Sequence, residues 1–360
     1  MALAPLPQPL PQPPSRLRLS SPEQVLPAVP YLLGFTPSRS LVVLSLRGKQ
    51  VGLTMRLDLD TPPAEMRRVV VNRLHADGAS TAVLIVFDPD DTPRSKGATG
   101  VRPGSRLARP LIRTLSREGL AVRDALVVSR GRFWSYLCTE PSCCPPSGRA
   151  LPIAGEPDHS LVASTFVAMG TAPLASREEL AACVDAAPPE RQAELAPAFE
   201  RALSAPAAYP LQRWWDAVLR YTEAPPRTGR TLPDTEIAHL IVSLGDVTVR
   251  DEVVSWTAGD ELAGVLALLR ELAPCAPAPF DVQVLACLAW AALTNGEGAL
   301  AAVALERAHS IDEEHSLANL LGVALESGVT PQQLRAVATE LSADVRLPEV
   351  PDAFRSPDAR

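Results

Sequence analysis

Three of the six cysteines fall within seven positions, Cys138, Cys143 and Cys144, in the segment FWSYLCTEPSCCPPSG (133–148). Thiols so close together can coordinate a metal, exchange electrons, or pack as small apolar groups. Structural zinc takes four ligands, usually Cys or His in pairs two to four residues apart, and this segment supplies three at most. Neighbours in an extended chain point to opposite sides, and Pro145 biases Cys144 toward extended geometry. Sharing one ion between Cys143 and Cys144 is then awkward, and no metal site is assigned. The leading reading is a structural corner of packed or half-exposed thiols, with metal binding and redox use as open alternatives. If Trp134, Tyr136 and Cys138 alternate along one strand face, Cys138 should be buried and one of Cys143 and Cys144 should meet solvent.

A second constellation is acidic. Asp58 and Asp60 close one strand signal, and Asp88, Asp90 and Asp91 close the next. Ligands of open α/β sheets gather outside the carboxyl ends of strands, where neighbouring carboxylates suit Mg²⁺. The plainer reading makes Asp60 a helix cap and the rest a solvated loop. A third constellation is basic: Arg106, Arg109, Arg113 and Arg117 recur at spacings of three and four, on one face of a helix opposite Leu107, Leu111 and Leu115, with Lys96 and Arg102 in the loop before. Such a stripe could contact phosphates, so Arg102, Arg106, Arg109 and Arg113 are candidate ligand-binding residues for a small anion, while Asp58 and Asp88 are candidate ligand-binding residues of the acidic constellation. The loop lacks the Gly-Lys-Ser/Thr ending of a P-loop, and neither G-x-S-x-G nor H-E-x-x-H occurs. The five histidines are scattered, and no catalytic residue or cofactor is assigned.

These groups are positioned by an α/β half. Ser21-Pro22-Glu23-Gln24 opens a helix that Pro27 and Pro30 should shorten or break. SLVVLSL (40–46) and VGLTMRLDL (51–59) flank Arg47-Gly48-Lys49-Gln50 as a hairpin. A helix from about Asp60 or Thr61 leads to STAVLIVFD (80–88), whose continuous apolar run reads as a strand buried on both faces. The arginine helix leads to DALVVS (124–129), the turn Arg130-Gly131, and RFWSYLC (132–138). The predicted order is ββαβαββ in a mixed sheet, with two crossovers and a hairpin at each end.

From about residue 160 helical periodicity takes over. Leu211, Trp214, Trp215, Val218 and Leu219 form one apolar helix face, so both tryptophans read as core. LAWAALTNGEGALAAVALERA (288–308) reads as a helical hairpin, partly tetratricopeptide-like, turning at Asn295-Gly296 with Ala289, Ala301, Ala304 and Ala308 at the contact. The expected divisions are a Pro-rich disordered tail (1–16), a basic α/β domain (17–155), a helical linker region (156–223), an acidic all-α domain (232–345) and a second tail (346–360).

At 360 residues and 46% hydrophobic content the chain is globular. No apolar run is long enough for a spanning helix, and the N-terminus lacks a charged signal-peptide start, which predicts a cytoplasmic protein with reduced thiols. The net charge of −7 hides an asymmetry: residues 1–150 hold 20 Lys/Arg against 11 Asp/Glu, a net of +9, and the remainder carries −16. The overall charge disfavours nucleic acid as a partner, although the basic N-terminal half alone would allow it.

PYLLGFTPSRSLVVLSL (30–46), MRLDL (55–59), RGRFWSYLCTEPSCCPPSG (130–148) and the 288–308 hairpin together resemble the actinobacterial domain of unknown function 4192 family, over roughly residues 17–345. The resemblance implies a fold and no activity, ligand or catalytic residue. The expectation is therefore a non-enzymatic binding or regulatory module whose helical half meets a protein partner and whose α/β half holds a small anion. The alternative is an enzyme using a divalent metal at the aspartates or a thiol of the Cys138–Cys144 segment.

Overall fold

A computed structural model describes residues 19–48, 50–90, 105–153, 155–168, 172–223 and 232–344. Arg102, Lys96, Asp91, Lys49 and both expected tails lie outside them. The chain divides into two compact units, Met1–Glu179 and Leu180–Arg360.

The first unit contains, in order, α1 (Pro22–Leu33), β1 (Ser40–Arg47), β2 (Gln50–Asp58), α2 (Pro63–Ala76), β3 (Thr81–Phe87), α3 (Ser105–Arg117), β4 (Ala121–Ser129), β5 (Arg132–Ser135), β6 (Arg149–Ala150) and α4 (Pro157–Ala168). The sheet order is β2-β1-β3-β4-β5-β6, with only β3 and β4 paired in parallel. This is the mixed ββαβαββ sheet read from the sequence, extended by the two-residue β6. Register aligns Leu41, Val43, Leu84, Val86, Ala125 and Val127 on one face, where they pack with Met66, Val70 and Leu74 of α2 and Leu111 and Leu115 of α3. Val42, Leu44, Ile85 and Leu126 point to the other face and are buried too, which explains the continuous apolar runs.

The prolines do not break α1, which is continuous over twelve residues and ends on Gly34 in the left-handed region. Two interior prolines cost roughly 3 kcal/mol each. Burial of Leu26, Val29 and Leu33, at roughly 1.5–3 kcal/mol apiece, offsets a loss of that size. Tyr31 stacks on Phe166 of α4 at 4.9 Å, and Thr36 N donates to Leu174 O. These contacts join α1 and the segment after it to residues 166 and 174 within the first unit.

The second unit is helical. After α5 (Arg177–Ala182), which straddles the boundary, it comprises α6 (Pro189–Ser204), α7 (Pro210–Glu223), α8 (Asp234–Ser243), α9 (Val247–Ser255), α10 (Leu262–Leu272), α11 (Asp281–Asn295), α12 (Gly298–Ile311), α13 (Ser316–Ser327) and α14 (Pro331–Asp344). Trp214 is fully buried and donates its indole N–H to Ser243 Oγ at 3.0 Å, while Trp215 meets Trp256 edge-on. Helices α11 and α12 form the expected hairpin: Gly296 adopts φ 84° at the turn, and Ala289, Ala301, Ala304 and Ala308 are wholly buried. No helix of the described residues is long and apolar enough to cross a membrane.

Candidate functional site

The carboxyl ends of β2 and β3 bring Asp58 and Asp88 to one edge of the sheet, as expected, and arginines share that edge. Arg56, two residues from Asp58 and hence on its face of β2, holds the Asp58 carboxylate with its two terminal guanidinium nitrogens, at 2.8 and 2.5 Å. Arg39 donates to Asp90 at 2.7 Å and to Asp60 at 3.3 Å. The Asp88 carboxylate accepts from the Asp90 N–H at 3.1 Å. Asp60 is not the cap of α2: the capping position falls on Pro62, and Asp60 is drawn to Arg39 instead. Among the described residues, no three acidic or histidine ligand atoms converge at this edge.

The arginine stripe divides. Arg109, Arg113 and Arg117 are exposed on α3 opposite the buried Ala108, Leu111 and Leu115. The Arg106 side chain and all of Arg102 lie outside the described residues. Two histidines have structural partners: His309 meets Asn319 Oδ1 at 3.0 Å, and His315 caps α13, its Nδ1 accepting from Ala318 N at 3.3 Å.

The three cysteines lie beyond the other end of β5, away from the aspartates. The last cross-strand bond of β5 runs from Tyr136 N to Ala125 O at 2.8 Å, and beyond it the Ser135 hydroxyl turns the chain: it donates to Asp124 Oδ1 at 2.6 Å and accepts the N–H groups of Leu137 at 3.2 Å and Cys138 at 3.1 Å. Alternation along a strand therefore fails before Cys138, which is half-buried rather than sealed beside Trp134 and Tyr136. Glu140 then organises a helix-like turn. Its carbonyl accepts from Cys143 N at 3.2 Å and Cys144 N at 2.8 Å, and its carboxylate accepts from Ser142 Oγ at 2.9 Å. In such a turn adjacent side chains diverge by about 100° instead of 180°. The expected opposition of Cys143 and Cys144 is thereby removed.

The far side of the loop is pinned by Trp134, whose indole donates to Pro146 O at 3.1 Å. Gly148 sits at φ 75°, and a Cβ there would lie 2.5 Å from the Trp134 ring, so the close approach requires glycine. The result is that the sulfurs of Cys138, Cys143 and Cys144 all lie within 4.8 Å of one another, with Cys143 exposed and Cys144 buried. None of the six cysteines forms a disulfide. Burial foremost, and then the Cys138 thiol, push the Cys144 thiol up to about 11, against the pull of the Ser135 backbone. The groups that act on the Cys144 thiol are its two neighbouring thiols and the Ser135 backbone, and the cluster is reachable from the exposed Cys143 side.

The positioning groups Ser135, Asp124, Glu140 and Gly148 were not singled out in the sequence. Serine at a strand end and glycine after a proline pair are turn signals, and they could have shown that the strand stops short of Cys138.

No curated protein and no solved structure matched the chain. A family model matches residues 22–332, and the chain belongs to the family that model describes, the domain of unknown function DUF4192.

Proposed function

We propose that the protein is a non-enzymatic binding or regulatory module whose binding centre is the three-cysteine corner of the first unit. One observation carries this: a loop fixed at Ser135, Glu140 and Trp134 brings three sulfurs within 4.8 Å of one another, with one of them open to solvent. A reducing cytoplasmic setting keeps such thiols available. The helical unit supplies the surface for a protein partner, with Leu320 and Val323 of α13 each 61% exposed and one turn apart. Tetratricopeptide-like stacking of its hairpins belongs to the same proposal. The exposed arginines of α3 are the place for a small anion. An enzyme using a divalent metal at the aspartates has less support, since Asp58, Asp60 and Asp90 are already paired with arginines.

Native mass spectrometry tests the reading. Protein isolated without denaturation should carry a bound species that is absent from Cys143→Ser. Equal masses, apart from the substitution, would overturn it.

A further inference from the structure

Resting on that reading, we propose that Cys138, Cys143 and Cys144 form a three-thiolate site for a soft closed-shell metal ion, Cu(I) or Zn(II), with one coordination position open toward solvent.

Three observations converge. The first is the donor set: thiolates select soft ions such as Cu(I) and Zn(II) over Mg²⁺ or Ca²⁺. The second is distance. Metal–sulfur bonds of about 2.3 Å put bound sulfurs about 3.8–4.0 Å apart, in tetrahedral or trigonal arrangement. Sulfurs already within 4.8 Å need only small rotations to close on an ion. The third is the frame. Ser135 holds Cys138 by its N–H, the Glu140 carbonyl holds Cys143 and Cys144 by theirs, and Trp134 ties the returning chain at Pro146. Binding sites held by such outer contacts lose less freedom on loading.

The ligand count sets the kind of site. Among the described residues, no carboxylate or histidine joins the three sulfurs. A zinc ion here would keep water or an added ligand in its fourth position, whereas a copper(I) ion is satisfied by three thiolates. Buried Cys144 forms the floor and exposed Cys143 the mouth, so the ion can be exchanged from one side. Loading forms three metal–sulfur bonds, releases a proton to solvent from each thiol that ligates, and changes no oxidation state.

The test uses the full chain, reduced with a phosphine that does not itself compete as a thiol. Cu(I) is titrated against bicinchoninate and Zn(II) against a chromophoric chelator. Wild type should withdraw one ion per chain from at least one of them, and Cu(I) should add a near-ultraviolet thiolate-to-metal absorption. Cys143→Ser, at an exposed position, should weaken binding by at least tenfold while melting as wild type does. Ser135→Ala, which frees the Cys138 turn, should weaken it by roughly 10–100-fold. Cys183→Ser, at another exposed cysteine, should change nothing. Wild-type protein that binds neither ion, or Cys143→Ser and Ser135→Ala variants that bind as wild type does, would overturn the proposal. A non-metal adduct lost from Cys143→Ser, without metal binding by wild type, would overturn this inference and leave the binding-module reading standing.

Discussion

At the scale of single residues, exposure and hydrogen bonding give each thiol a different reactivity. Cys143 faces solvent, Cys138 is half-buried, and Cys144 is buried with its thiol pushed up to about 11, so little thiolate forms there at neutral pH. Alkylation of the native protein should modify Cys143 first, Cys138 more slowly and Cys144 last, as read by peptide mass spectrometry over time. Equal rates would mean that the loop is not fixed as described. Gly148→Ala sharpens the point. A side chain at φ 75° costs roughly 1–3 kcal/mol, and its Cβ also displaces Trp134. The variant should melt lower and label Cys144 faster.

The aspartates differ in kind. The Arg39 pairs with Asp60 and Asp90 join side chains that are more than half exposed, so solvent screens them and they add little to stability. Their effect is to occupy the carboxylates. Added Mg²⁺ should leave the melting temperature unchanged, in wild type and in Asp88→Ala alike. A Mg²⁺-dependent rise that Asp88→Ala removes would revive the enzyme reading.

At the scale of elements, a helix end supplies a pH dependence. His315 caps α13 through a ring nitrogen that accepts from Ala318 N, and Nε2 then donates to Gln283 Oε1 at 3.3 Å, which requires the neutral ring. Burial, the largest influence, lowers its pKa, while Asp312 acts the other way. The folded state therefore resists a proton that the unfolded chain accepts near pH 6.5. This contribution is intact above that pH and is lost as pH falls below it toward the lower folded value. His315→Asn keeps a capping oxygen that does not titrate, so its melting temperature should fall less than that of wild type between pH 8 and pH 5. His315→Ala should cost about 1 kcal/mol at pH 8.

Elements were legible in the sequence where a single periodicity ran unbroken. The apolar runs of β1 and β3 and the alanine contacts of α11 and α12 follow directly from burial on both faces and from close helix approach. The site was legible in its residues and not in its geometry. Cys138, Cys143 and Cys144 were evident as a group, but the strand was carried three residues too far, because the Ser135 hydroxyl competes for N–H groups that a strand would otherwise give to its neighbour. The helix-like turn at Glu140 was hidden by Pro145, whose extended bias acts on one residue and not on the turn before it. Asp60 was misplaced for a similar reason: the capping position falls on Pro62, and Asp60 pairs with Arg39, which is distant in sequence.

At the scale of the molecule, each unit encloses apolar groups of its own. In the first, Leu41, Val43, Leu84, Leu111 and Leu115 belong to one continuous cluster built only from that unit's strands and helices. In the second, Trp214, Val218, Leu268, Leu285 and Leu305 are all buried within helices that follow the boundary. Several buried side chains of this size supply roughly 1.5–3 kcal/mol each, against conformational entropy lost residue by residue, so a unit with a complete core can fold alone. The three-cysteine loop hangs on β4 and β5 and draws every hydrogen bond described above from the first unit. A fragment of residues 1–179 should therefore unfold cooperatively and keep the labelling order Cys143, Cys138, Cys144. Thermal melting followed by circular dichroism, with labelling of the same sample, checks both. A fragment that melts without a cooperative transition, or that exposes all three thiols at one rate, would show that the loop depends on the helical unit.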